Sequence, residues 1–92
     1  MPGTFEYELF WEGGSIGRLV KAEPDVPYVE GEWLANGTES AVRFSSLLNE
    51  VFAGTDTVHW SKAPRVEVLH ANGHRSKGYV TGFGAEGMFI RW

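Results

Sequence analysis

Apolar and polar residues alternate along the first third of the chain in the way that is typical of β-strands. Every second residue of the segment 5–11 is apolar, which predicts a strand with one buried face. A glycine-containing turn over 12–15 allows residues 16–23 to return antiparallel to it. Prolines within 24–27 end that strand, because proline cannot donate to a ladder, and a third strand is predicted over 28–35.

The periodicity then changes from two to between three and four. From Ser40 to Ala53 the apolar residues form one stripe along a helix. Thr38 or Ser40 can cap its first turn, and Gly54 can take the left-handed conformation after its last. Because an isolated helix of this length is unstable in water, we expect it to lie across the apolar face of the sheet.

The last third of the chain predicts a short β-segment over 57–60 and then a three-stranded meander. The first meander strand is predicted over 65–71 and the second over 74–83, joined by Asn-Gly, the strongest short hairpin signal. Glycines within 84–87 turn the chain once more, and residues 88–92 form the closing strand.

The turn at 72–73 also predicts a register. A loop of these two residues gives the facing pairs His70 with Arg75, Val68 with Lys77, and Val66 with Tyr79. His70 and His74 then lie on opposite faces of the hairpin. Two ligands that point apart cannot chelate one ion, so no metal site is predicted.

These elements together predict a single α+β domain over residues 1–92. It is a mainly antiparallel curved sheet or small open barrel of about six strands, in the order βββαβββ, with one amphipathic helix packed on it. Within residues 66–92, Gly-x-Val followed by a further glycine and a terminal apolar strand resembles the meander of SH3-like small barrels such as Tudor and KOW modules. The first half of the chain and the helix depart from those modules, so no ligand residues are carried over from them.

Composition narrows the class of protein. Ninety-two residues allow one core, and the Trp, Tyr and Phe side chains supply its bulk. The chain has no cysteine, which excludes a disulfide framework and a thiolate zinc site. No apolar run approaches the ~18 residues of a membrane helix, and residues 1–4 do not start a signal peptide, so we expect a cytoplasmic protein without membrane contact. Nothing in the sequence indicates a cofactor.

Charge is unevenly distributed along the chain. The net charge of -4 argues against generic nucleic-acid binding, which depends on Lys and Arg neutralising phosphates. Residues 1–39 contain eight acidic and two basic residues, whereas residues 40–92 contain four acidic and six basic residues and all three histidines. Such asymmetry can create an acidic face that attracts a basic partner, although a solvated acidic sheet surface is the ordinary interpretation.

The first functional hypothesis is a non-enzymatic protein-binding module, for example an inhibitor or immunity-type protein. It would use acidic and aromatic side chains on the sheet surface to bind a protein with a basic surface, since aromatic anchors carry much of the energy of an interface. The candidate residues are Glu6, Glu8, Glu30, Glu32, Trp11, Tyr28 and Trp33.

The alternative hypothesis is a small-molecule or nucleotide-binding protein that uses the basic and aromatic meander. Aromatic rings beside guanidinium groups can stack on bases and bind phosphate. The candidate residues are Trp60, His70, Arg75, Lys77 and Tyr79. A structural explanation competes with it: Tyr79 and Trp92 belong to the core, and Arg75 and Lys77 protect a sheet edge from aggregation.

A small hydrolase is the third hypothesis. Carboxylates two residues apart, as in Glu6 with Glu8 and Glu30 with Glu32, could act as acid and base. That chemistry also needs a cleft, which the sequence does not indicate, so no catalytic residue is predicted.

Self-association is a further expectation. The strand predicted over 88–92 could leave one sheet edge unpaired. A homodimer would cover such an edge.

Overall fold

Six strands and one α-helix follow one another in the order βββαβββ, which confirms the predicted fold class. The computed structural model describes residues 5–25, 27–70, 72–84 and 87–92, without the side chain of Asp25. The strands are β1 (Phe5–Trp11), β2 (Gly14–Asp25), β3 (Tyr28–Ala35), β4 (Arg65–Leu69), β5 (Arg75–Gly84) and β6 (Gly87–Arg91), and the helix α1 is Glu39–Val51. The predictions made for residues 1–4, Val26, Ala71 and residues 85–86 lie outside the described residues.

The sheet closes into a barrel with the strand order β1-β2-β3-β6-β5-β4. Closure depends on two ladders between distant parts of the chain, in which Leu9 of β1 pairs with Val68 of β4, and Val29 of β3 pairs with Ile90 of β6. Strand β6 therefore has a partner on each side, because Ile90 also pairs with Val80 of β5. The expectation that residues 88–92 leave an edge unpaired is wrong, and with it goes the argument for a homodimer that covers this edge.

Alternate side chains of the strands fill the barrel. Leu9, Leu19, Val68 and Ile90 are fully buried, as the period-two pattern predicts. Among the described residues no polar or charged residue is buried in this core. Charged side chains of the strands consequently lie on the outer surface.

Helix α1 covers one end of the barrel instead of lying across an open sheet face. The ring of Phe44 lies 5.4 Å from that of Trp11 and 5.7 Å from that of Trp33, both near the ends of their strands. A closed barrel offers no open inner face, so its end is where an apolar helix stripe can be buried. Thr38 is the N-cap, and its Oγ1 accepts a hydrogen bond of 3.1 Å from the backbone N–H of Ala41.

The opposite end of the barrel is filled by aromatic side chains. The ring of His70 lies 5.2 Å from that of Tyr7 and 5.4 Å from that of Trp92. His70 Nε2 is also 2.9 Å from Ser76 Oγ. Both ends of the barrel are therefore packed with side chains.

The β4–β5 turn differs from its prediction by one residue. The backbone N–H of His70 donates to the carbonyl of His74 at 2.8 Å, so the loop between them has three residues, and Gly73 takes φ +87. The predicted two-residue loop is wrong, and every pair derived from it shifts: Leu69 faces Arg75, Val68 faces Ser76, Glu67 faces Lys77 and Arg65 faces Tyr79.

The same shift brings His70 and His74 to one side of the hairpin. Their ring centroids are 5.8 Å apart, so the prediction that they point apart is also wrong. Within the part of the chain that the structure describes, no group of three or more His, Cys, Asp or Glu residues is arranged to hold a metal ion.

The segment predicted as a short strand over 57–60 forms only one bridge, between Thr57 and Gly82. The chain then makes a short 3-10 helix, Trp60–Lys62, before β4. Across the described ranges, no helix has the length and apolar character needed to cross a bilayer.

Strand β2 contains a bulge that the alternation does not predict. Val20 pairs with Glu32, but the next registered pair is Glu23 with Glu30, so β2 has one extra residue between them. Lys21, at the bulge, has a positive φ of 52. After the bulge the outward positions of β2 are displaced by one residue.

Candidate functional site

The predicted acidic face is divided by strand β2, which lies between β1 and β3. Two of its four acids pair with basic side chains of β2. Arg18 Nη1 lies 3.0 Å from Glu6 Oε1, and Lys21 Nζ lies 3.8 Å from Glu32 Oε2. The four glutamates therefore do not form one repulsive patch, and Glu6 and Glu32 are partly neutralised within the chain.

The remaining predicted residues of this set have different surroundings. Glu8 Oε2 accepts a hydrogen bond of 2.8 Å from Ser15 Oγ. Trp11 and Trp33 pack against the core beneath α1, and the Nε1 of Trp33 is buried with no hydrogen-bond partner among the described residues. Only Tyr28, which is 37% exposed, has the position expected of a surface anchor.

Glu30 and Tyr28 line a groove of about 430 Å³ on the outer surface near the ends of β2 and β3. We call it the acidic groove, and its lining residues are Glu23, Pro24, Tyr28, Glu30 and Phe89. Glu23 faces Glu30 directly across the β2–β3 ladder. Neither glutamate forms an ion pair with a described side chain. The groove thus places two carboxylates beside two aromatic rings.

Sequence reasoning missed Glu23 because its partner depends on the bulge in β2. Without the extra residue, the register of Val20 with Glu32 would place Ala22 opposite Glu30. The sequence does not indicate the positive φ of Lys21, since glycine or asparagine is the usual residue at such a position.

A second set of outward-facing side chains, some exposed and some half-buried, runs around the barrel, perpendicular to the strands. We call it the aromatic–guanidinium row, and its members on β3, β6, β5 and β4 are Tyr28, Arg91, Tyr79 and Arg65. Arg91 Cζ lies 6.0 Å from the ring centroid of Tyr28, and Arg65 Cζ lies 5.9 Å from that of Tyr79. These distances are those of cation–π contacts.

Trp60 lies beside this row, next to Tyr79. Its side chain is 44% exposed, and its ring lies 5.7 Å from that of Tyr79. The 3-10 helix that carries Trp60 is held beside β5, because the Val58 N–H donates to the carbonyl of Thr81 at 2.9 Å. Two aromatic rings and a guanidinium group therefore meet on the outer surface.

The structure brings together only part of the set predicted for ligand binding. Trp60 and Tyr79 meet in this row, and Lys77 lies on the same outer face of β5. Arg75 instead points elsewhere: its Cζ lies 4.3 Å from the ring centroid of Phe10, and its Nη1 lies 3.6 Å from Glu67 Oε1.

For two residues of that region, the prediction from the sequence and the structure differ. His70 belongs to the packed end of the barrel and not to the outer face. Arg65 was missed because the predicted register, wrong by one residue, paired Val66 with Tyr79 in its place.

The outer surface of the barrel thus carries an acidic groove and an aromatic–guanidinium row, which share Tyr28. The predicted meander is present, with β4, β5 and β6 as consecutive neighbours. Comparison with known proteins found no matching family model, no matching curated protein and no matching solved structure.

Proposed function

We propose that this chain is a non-enzymatic protein-binding module that receives a basic segment of its partner in the acidic groove, as an inhibitor or immunity-type protein would. The observation that carries this proposal is the facing pair Glu23 and Glu30, which lies beside Tyr28. Like charges directly opposite each other destabilise a sheet, so the pair costs free energy in the unbound protein. A cation from a partner would relieve that cost.

The chemistry of the groove suits a Lys or Arg side chain. Two carboxylates can accept hydrogen bonds from an ammonium or guanidinium group, and the rings of Tyr28 and Phe89 offer apolar contact and cation–π attraction. A groove of about 430 Å³ is large enough for such a side chain and its backbone. Tyrosine is also among the residues that most often dominate the energy of protein interfaces.

The proposed contact surface is narrower than the one predicted from the sequence. Glu6 and Glu32 already have cationic partners in β2, whereas Glu23 and Glu30 have no ion-pair partner among the described side chains. Trp11 and Trp33 pack against the core. Of the predicted set, Glu30 and Tyr28 remain, and Glu23 and Phe89 join them.

Affinity capture tests the proposal. The immobilised chain is incubated with a lysate of its host cells, and retained proteins are compared with those retained by the Tyr28→Ala variant. We expect a partner with a basic surface that the variant loses, because truncation of an aromatic anchor costs about 2 kcal/mol or more, roughly 30-fold in affinity. With that partner purified, Glu30→Lys should slow association and flatten its dependence on salt.

Glu6→Lys is the matched control, since it makes the same charge change at an acid outside the groove. It should leave the association rate within about twofold of the wild-type value. If both reversals slow association equally, the partner does not use the groove. A wild-type column that retains nothing beyond the Tyr28→Ala column would remove the proposal.

A further inference from the structure

We infer that the aromatic–guanidinium row, together with Trp60, is a binding site for single-stranded nucleic acid. Tyr28 belongs to both surfaces, but the inference can be tested apart from the proposed function, because Trp60, Tyr79 and Arg65 lie outside the acidic groove. In this site the bases stack on the aromatic rings, and the phosphates contact the guanidinium and ammonium groups.

The rings and the cations alternate along the row. Tyr28 faces Arg91, Arg91 faces Tyr79, and Tyr79 faces Arg65 across successive ladders. Neighbouring strands lie about 4.8 Å apart, so the row spans roughly 14 Å. Single-stranded nucleic acid has the complementary chemistry, in which an anionic backbone carries one aromatic base at every step.

The cations of this region have no carboxylate partner within the part of the chain that the structure describes. Arg18, Lys21, Arg43 and Arg75 each lie within 4 Å of a glutamate carboxylate. The four other basic residues have no such contact with a described carboxylate: Lys62, Arg65, Lys77 and Arg91. Arg65 and Arg91 belong to the row, Lys62 follows Trp60 by two residues, and Lys77 precedes Tyr79 by two on the same face of β5.

The negative net charge argues against nucleic-acid binding, but it is the sum of all charges in the chain. Charges on a protein surface are screened over about 8 Å at physiological ionic strength, so a ligand responds to the charges near its own binding face. Among the described residues of β4, β5 and β6, the charged side chains without an ion-pair partner are basic, and Glu23 and Glu30 lie only at the β3 end of the row, beside Tyr28. The acids that dominate the sum belong mostly to residues 1–39.

The open shape of the face favours a strand over a free nucleotide. Sites for small ligands are concave and enclose most of the ligand's surface. The row lies on the outside of a barrel, and Trp60 stands 44% exposed beside it. Tyr28 and Tyr79 are two strands apart, roughly 10 Å, and Trp60 lies against Tyr79, so one base cannot cover all three rings, whereas a strand of several nucleotides can contact them.

Fluorescence anisotropy with a fluorescein-labelled dT15 oligonucleotide at 50 mM NaCl tests the inference. We expect saturable binding that Tyr79→Ala and Trp60→Ala each weaken by about 5- to 100-fold, since each removes a stacking surface. Arg65→Gln should weaken binding and reduce the slope of log K against log salt concentration by about 0.7, the value for one phosphate contact of a single strand.

Arg18→Gln is the matched control, because it removes one positive charge from the other side of the barrel, where Arg18 pairs with Glu6. It should leave the affinity for dT15 within about twofold. Circular dichroism melting confirms that each variant is folded.

Four results would overturn the inference: no binding of dT15 at this salt concentration, equal weakening by Arg18→Gln and Arg65→Gln, unchanged affinity in both aromatic variants, or competition by dTMP or polyglutamate as strong as that by unlabelled dT15. The dTMP result would indicate a nucleotide site, and the polyglutamate result a surface that recognises charge alone.

Discussion

Acidic side chains that look alike in the sequence have different electrostatic surroundings on the barrel. Glu6 has the guanidinium group of Arg18 at 3.0 Å, and both side chains are well exposed, so their attraction contributes at most about 1 kcal/mol. Glu30 instead faces Glu23, and their repulsion acts in the opposite direction. The charge of the neighbouring side chain therefore determines whether a surface carboxylate stabilises the fold or is available to a ligand.

Glu30→Gln should increase the free energy of unfolding by about 0.2–1 kcal/mol, because it removes the like-charge repulsion from Glu23 without changing the size of the side chain. Urea unfolding at low ionic strength measures this gain, and about 1 M NaCl should abolish it by screening. Glu6→Gln, the control, should show no gain. A destabilised Glu30→Gln variant would mean that Glu30 has a cationic partner.

Strand β2 shows how one extra residue changes the chemistry of a whole face. The bulge at Lys21 turns Ala22 into the core, where it is fully buried, and brings Glu23 to the outer surface opposite Glu30. Lys21 takes a left-handed conformation that is costly for a residue with a Cβ. The acidic groove is thus built on a locally strained segment of backbone.

Lys21→Gly should increase the free energy of unfolding by about 0.5–1 kcal/mol, because glycine takes a positive φ without strain. Lys21→Ala removes the same exposed ion pair with Glu32 but keeps the strain, so it should show no gain. Chemical denaturation of the two variants separates the effects. Equal stability of both variants would argue against a left-handed residue at this position.

The sequence predicted the order of the six strands and the α-helix but not the positions that depend on register. Strong local signals, such as the alternation over 5–11 and the stripe over 40–53, are determined by each segment alone. Loop length between His70 and His74, and the bulge at Lys21, depend on pairing with neighbouring strands. Each of these details differs by one residue from simple alternation, and one residue reverses the face of a side chain.

The same distinction applies to the two surfaces. Tyr28, Glu30, Trp60 and Tyr79 were candidates because of their residue types, which the sequence shows directly. Their partners Glu23 and Arg65 were missed because only the correct register places them opposite Glu30 and Tyr79.

At the scale of the whole molecule, the barrel depends on ladders between residues far apart in sequence. Strand β1 pairs with β4 and strand β3 pairs with β6, so the segments on either side of α1 close the sheet together. Loss of either ladder would expose the fully buried Leu9, Val29 and Ile90 to water. We therefore expect the barrel to unfold as one cooperative unit.

Native-state hydrogen exchange followed by NMR should show β6 as strongly protected as β5, because in the closed barrel both strands lie between two hydrogen-bonded neighbours. Their exchange should match the global free energy of unfolding measured with denaturant. Amides after α1, at Ala53 and Gly54, should exchange by smaller local openings. Fast exchange along β6 beside slow exchange along β5 would indicate an open sheet.

The row of Tyr28, Arg91, Tyr79 and Arg65 draws its members from both sides of the helix. Tyr28 comes from the amino-terminal segment and the other three from the carboxyl-terminal one. An occupant of the row would consequently tie the two segments to each other. If the chain were cut between the two segments and the fragments were reassembled, the lifetime of the complex would rise with the concentration of the ligand bound to the row.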